Sequence, residues 1–125
     1  MANFRSIGGQ IGGGYDNIVV GTEQQIGIIN IDGTTYTLYR KVIDFGALPN
    51  NTLKQKAHGI SSCIGVLDVW GMVYETNNNV FLPIPWIAAD GSKFESIYIT
   101  PTLINITNNF DDSNKKAFIF IEYYR

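Results

Sequence analysis

The chain has 125 residues, with 9 Lys and Arg against 11 Asp and Glu, a formal net charge of −2 and a pI near 5.2. That length makes one domain, able to bury roughly two-thirds of its unfolded surface. Lys54, Lys56, Lys115 and Lys116 form two scattered pairs rather than a basic stripe, which argues against a nucleic-acid partner. Hydrophobic residues make up 45% and charged residues only 16%, so little material is left for a solvated surface, and a partner surface is expected.

Residues 1–21 carry Gly at 8, 9, 12, 13, 14 and 21, too flexible for a helix and too interrupted for a long strand. They read as a Gly-rich N-terminal arm or connector, with the folded domain over 22–125. "GGQIGGG" is followed neither by Lys-Ser/Thr nor by a helical pattern, so it is not a phosphate loop. "MANFRSIGGQIGGGY" has no apolar core after its Arg, so no export signal is expected and cytoplasmic synthesis is the default. No apolar run reaches membrane-spanning length. The sequons at Asn50 and Asn105 carry no meaning in such a chain.

"IGIINIDGTTYTLYRKVIDF" is two β-rich runs around Asp32-Gly33, the pair that a type I′ hairpin turn demands. A two-residue loop would pair Ile31 with Thr34, Ile29 with Tyr36 and Ile26 with Tyr39. One face then carries Ile29, Ile31, Tyr36 and Leu38, and the other Ile26, Ile28 and Tyr39. Both are apolar, so both should be covered. "ALPNNTLKQKAHGI" holds one turn of helix at most.

Cys63 to Glu75 repeats the pattern, with Ile64, Val66, Trp70, Met72 and Tyr74 on one side and Leu67, Val69 and Val73 on the other. "VFLPIP" is a short strand ended by prolines, hence an edge or a strand end. "WIAADGSKF" is a loop with an Asp90-Gly91 turn. "FESIYIT", "LINIT" and "AFIFIEYYR" are three more strands. Six to eight short strands with regular turns spell an all-β, antiparallel β-sandwich, jelly-roll-like, without internal repeats.

Chemistry is sparse. The single Cys63 excludes an intrachain disulfide, and one His with one Cys leaves no transition-metal cage within a single chain. "DDSN" (111–114) lacks the glycine and distal Glu of a calcium loop. A triad would need His58 with Ser61 or Ser62, but neither serine sits in a G-x-S-x-G elbow. Asp90, Asp111, Asp112, Glu95 and Glu122 have no context marking a glycosidase pair. No catalytic residue, metal or cofactor is therefore expected, and His58 reads as a capping or packing residue before the next strand. Binding remains: Trp86, with Asp90 in its loop and Asp111 and Asp112 in the next, makes the best candidate for a recognition surface, of the kind glycans use. An up-and-down path would bring the two loops to one end of the sandwich.

From about Glu23 to Arg125 the order of "TEQQIGIINIDGTTYTLYRKVIDFGALPN", "AHGIS", "FLPIP", "SIYITPTLINIT" and "FIFIEYYR" resembles a β-sandwich module of bacteriophage and prophage virion proteins, found at the C-terminal ends of fibre-like tail or head structural proteins. The chain departs from it at "IIN", where that family has a Trp, and around 108–114. The resemblance implies a structural virion protein (head-fibre, decoration or tail-tip component). It further implies a homotrimer, contacts with other virion proteins through the N-terminal arm, and adhesion to a host-surface glycan. A module with its own Met1 suggests a small separate virion protein. The alternative is a carbohydrate-binding module using Trp86.

Overall fold

Asp32 and Gly33 both adopt positive φ, 50° and 85°, the backbone that a two-residue I′ turn requires. Around them, in a computed structural model that describes residues 17–125, β1 (Gln24–Ile31) and β2 (Thr34–Ala47) form the expected hairpin. Asn30 Oδ1 accepts from the Gly33 N–H at 3.2 Å and staples the turn. Ile31 faces Thr34 and Ile29 faces Tyr36 as expected, but Gln25, not Ile26, faces Tyr39. A bulge at Ile26 shifts the register by one residue between Gln25 and Gly27.

The strands that follow are β3 (Leu53–Ala57), β4 (Gly65–Thr76), β5 (Pro83–Ile84), β6 (Trp86–Ile87), β7 (Phe94–Ile99), β8 (Leu103–Asn108) and β9 (Lys115–Tyr124). They form two antiparallel sheets packed face to face, in the orders β1-β2-β9-β4-β5 and β3-β8-β7-β6. The protein is an all-β sandwich, without helix among the described residues. The expected helical turn is instead β3, because Lys54, Gln55 and Lys56 pair with Ile106, Asn105 and Ile104. The path is not up-and-down: β2 pairs with β9 and β3 with β8, a nested arrangement. Of the Gly-rich stretch, residues 1–16 lie outside the described part; Val20 makes a parallel bridge to Val42 and the Gly21 N–H donates to Val42 O at 2.7 Å.

The core lies between the sheets and is built from Ile43, Phe45, Leu48, Val73, Ile84, Ile104, Ile106, Ala117, Ile119, Ile121 and Tyr123. Each large aliphatic buried there contributes about 1.5–3 kcal/mol. Phe45 reaches it through a bulge between Asp44 and Gly46, where Gly46 adopts φ 77° and its N–H is held by Asp44 Oδ1. Gly71 is the close-approach point, since a Cβ there would lie 2.9 Å from Ile119 Cδ1 and 3.0 Å from Ile84 Cβ.

Alternation puts a second apolar set on the other face of the five-stranded sheet. Trp70 stacks on Phe120 and Tyr74 on Phe118, each with centroids 4.1 Å apart, and Tyr36 lies 4.9 Å from Tyr124. These cross-strand aromatic pairs explain why β4 reads as apolar on both sides. Cover is nevertheless incomplete: Ile28 stays 71% exposed and Ile64 62%, because the smaller sheet does not extend across β1 or the start of β4.

Candidate functional site

The sandwich has two ends of opposite character. One gathers the β6–β7 loop (88–93), the β8–β9 loop (109–114), the β2–β3 turn and the β4–β5 loop. Its plug is built from the first or last inward position of several strands. In β7, Ile97 and Ile99 pack on the core, and two residues earlier the same phase carries Glu95. In β8, Ile104 and Ile106 are followed in phase by Asn108, and in β9 Ala117, Ile119 and Ile121 are preceded by Lys115. Three polar side chains thus point into the end of the core.

They are satisfied mainly by one another. Asn108 Nδ2 donates to Glu95 Oε2 at 2.9 Å and to the Pro49 carbonyl at 2.8 Å, tying β8 to β7 and to the β2–β3 turn. Asp112 folds in from the loop, with its N–H on Pro49 O and its Oδ1 2.6 Å from Lys115 Nζ. The Asp112 carboxyl lies beside Glu95, and Trp86 sits opposite Glu95 in the β6–β7 pair. Glu95 is 1% exposed and Asp112 2%. Burial first, and then the adjacent Asp112 carboxyl, pushes the Glu95 pKa up to about 7. Glu95 Oε1 has no donor among the described residues, and a proton on Glu95 gives the two carboxyls a shared hydrogen bond. Sealed from solvent, this pair lies where the β2–β3, β6–β7 and β8–β9 connections meet.

The residues singled out from the sequence divide here. Trp86 and Asp112 meet through Glu95, inside the plug. Trp86 is half-buried and set edge-on to Phe110, centroids 5.5 Å apart, and Lys93 Nζ lies 5.3 Å from the Phe110 ring centroid. Asp90 and Asp111 are exposed and make the same turn: each Oδ1 accepts from the N–H and hydroxyl of the Ser two residues on, Ser92 and Ser113. Those bonds hold both carboxyls below the usual range. The two loops do lie together, since Asn109 Nδ2 donates to Ser92 O at 3.0 Å and its Oδ1 accepts from the Phe94 N–H. Although the whole path is not up-and-down, β6, β7 and β8 are consecutive antiparallel neighbours, and this local up-and-down run brings the two loops to one end.

At the opposite end His58 acts as a clamp. Its ring Nδ1 accepts from the Ile60 N–H at 3.0 Å, which leaves Nε2–H to donate to the Thr100 carbonyl at 2.9 Å. Its own backbone N–H reaches Thr102 O. The imidazole therefore ties the chain at His58 and Ile60 to the β7–β8 turn. Beside it opens a pocket of about 420 Å³ lined by Ile60, Ile64, Val66, Ile99, Tyr123 and other residues, Cys63 among them. Nearby, Glu23 takes two bonds from Arg125, at 2.9 and 2.6 Å, and one from the Tyr123 hydroxyl. The Arg125 bonds hold the Glu23 carboxyl below its ordinary value, while burial and Glu23 push the Tyr123 phenol up. Arg125 also lies 4.4 Å over the Tyr39 ring. Among the described residues no group of three or more His, Cys, Asp or Glu is placed to hold a metal ion.

Compared with known proteins, the chain matches no family model, no curated protein and no solved structure.

Proposed function

We propose that the protein is a structural component of a bacteriophage particle, a head-fibre, decoration or tail-tip protein that assembles as an oligomer and displays its sandwich for adhesion to the host surface. The ordered motifs from Glu23 to Arg125 motivate the virion reading, and the nested pairing of β2 with β9 and of β3 with β8 suits a jelly-roll-like display domain. The observation that carries the assembly reading is the distribution of exposed apolar side chains. Ile28, Ile87, Ile64 and Phe81 are 71%, 69%, 62% and 60% exposed, although the same chain builds a well-filled core elsewhere. A chain with only 16% charged residues has little to offset such surface in water. Glycan binding at Trp86 gains no comparable support, because that indole is half-buried and set against Phe110. Light scattering coupled to size exclusion tests the assembly reading: a particle mass that is a multiple of 13.9 kDa is expected, and a monomer at all micromolar concentrations would refute it.

A further inference from the structure

The four sheet edges are not protected alike. A bare strand edge is a template for another chain, and proteins blunt it with prolines, lysines or very short strands. The β5 and β6 strands are two residues each, with Pro83 in β5 and Pro85 between them. They leave residues 65–70 and 73–76 of β4, which carry Asp68 and Glu75, and the four residues 96–99 of β7 without a paired strand on that side. The β3 edge carries Lys54 and Lys56, whose ammonium groups reach back to the Ala47 and Asp44 carbonyls of β2. The β1 edge has neither device: "QQIGIINI" contains no charge and no proline, and it ends an otherwise long sheet. Its one irregularity, the bulge at Ile26, leaves Gly27 to Ile31 in regular register.

The hydrogen-bond phase of that segment points outward. Thr37 exchanges both backbone bonds with Arg125, at 3.0 and 3.1 Å, so its groups face β9. Ile28 lies opposite Thr37. It is thus at a site that makes no ladder bonds to β2, and its N–H and C=O project to the free edge. Asn30, two residues on, shares that phase. Among the described residues no backbone group pairs with Ile28 or Asn30 on that side.

Resting on the assembly reading above, we propose that β1 is the self-association edge: Gly27 to Ile31 pairs antiparallel with β1 of a second copy about a twofold axis at Ile29. In that register Ile28 and the partner's Asn30 exchange both backbone bonds, and the symmetry repeats the exchange, giving four bonds in all. No like charges meet, because the segment has none, and the exposed Ile28 side chain gains cover. A twofold pairing sets the segment against an identical uncharged one, whereas a head-to-tail contact with the β3 edge would set it against Lys54 and Lys56. The edge therefore favours a closed twofold dimer over the threefold assembly that the resemblance implies.

Sedimentation velocity on the full chain tests this with two lysine substitutions at matched exposure. Ile28→Lys is expected to convert dimer to a monomer that still unfolds cooperatively, with the midpoint lowered only by the lost association, and Ile87→Lys on β6 to leave the dimer intact. In a Cys63→Ser background, oxidised Ile29→Cys is expected to give a disulfide-linked dimer on a non-reducing gel, and Ile87→Cys none; this second readout serves if Ile28→Lys fails to fold. Association that survives Ile28→Lys, or absence of the Ile29→Cys crosslink, overturns the edge proposal while the assembly reading stands. A wild-type chain that stays monomeric overturns both.

Discussion

The two ends of the sandwich stabilise their loops by opposite means. At one, Glu95, Asn108, Asp112 and Lys115 carry charge and amide groups into the core and pair most of them there, with Glu95 Oε1 and Asn108 Oδ1 left without a donor among the described residues. At the other, His58 makes two short-range bonds at the rim and leaves an apolar pocket open beside it. A buried charge network is strongly conditional: whole, it fixes four chain segments in one arrangement, but removing any partner strands a charge out of water. A neutral clamp loses only its own bonds. The closed end should therefore be the more fragile to substitution.

The largest expected effect comes from Lys115→Met, which keeps the aliphatic stem and removes the ammonium that faces Asp112. The stranded carboxyls should lower the unfolding free energy by about 3–5 kcal/mol in urea titrations near pH 7. A loss below about 1 kcal/mol would mean that the plug does not hold that end together.

Next in size is the pH dependence. The ordinary Glu pKa is 4.5, and Glu95 is raised to about 7 in the folded chain. Between those values the native state keeps a proton that the unfolded chain has released, so stability falls as pH rises. The contribution is complete below pH 4.5 and gone above about 7, and it amounts to at most about 3 kcal/mol. Glu23 works the other way, since its carboxyl is held low and its contribution is lost as the pH drops below 4.5. Stability should peak near pH 5, and Glu95→Gln should flatten the alkaline limb. A wild-type curve that rises from pH 5 to 7 would contradict the protonated Glu95–Asp112 pair.

The smaller effect belongs to the rim. His58→Ala removes the bonds to the Ile60 N–H and the Thr100 carbonyl, and should cost about 2 kcal/mol. It should leave the fall in stability set by Glu95 in place, because His58 lies at the other end and touches none of the plug residues. A profile that loses its alkaline limb in His58→Ala would erase the distinction between them.

Much of this contrast was open to a reading of periodicity alone. The hairpin turn follows from Asp32-Gly33, and the inward phase of Ile97, Ile106 and Ile119 fixes the facing of their strands. Counting that phase two residues further outward reaches Glu95, Asn108 and Lys115, so the plug was legible in principle. What hid it was composition: Asp112 sits beside Asp111 in one polar loop, and nothing local separates the buried carboxyl from the exposed one. That difference is set by Pro49 O and Lys115, which lie on other segments. The bulge at Ile26 was equally hidden, since Ile26 suits either register, and β3 was masked by its two lysines. The exposure of Ile28 depends on how far the second sheet reaches, which is a property of the packed whole.

The central claim is that this sandwich is made to assemble through apolar surface that its own second sheet leaves bare. Sedimentation equilibrium of the intact chain near pH 6, from low to high micromolar concentration, tests it most directly. The account predicts a concentration-dependent rise from 13.9 kDa to a defined multiple of that mass, and a single species at 13.9 kDa throughout would contradict it.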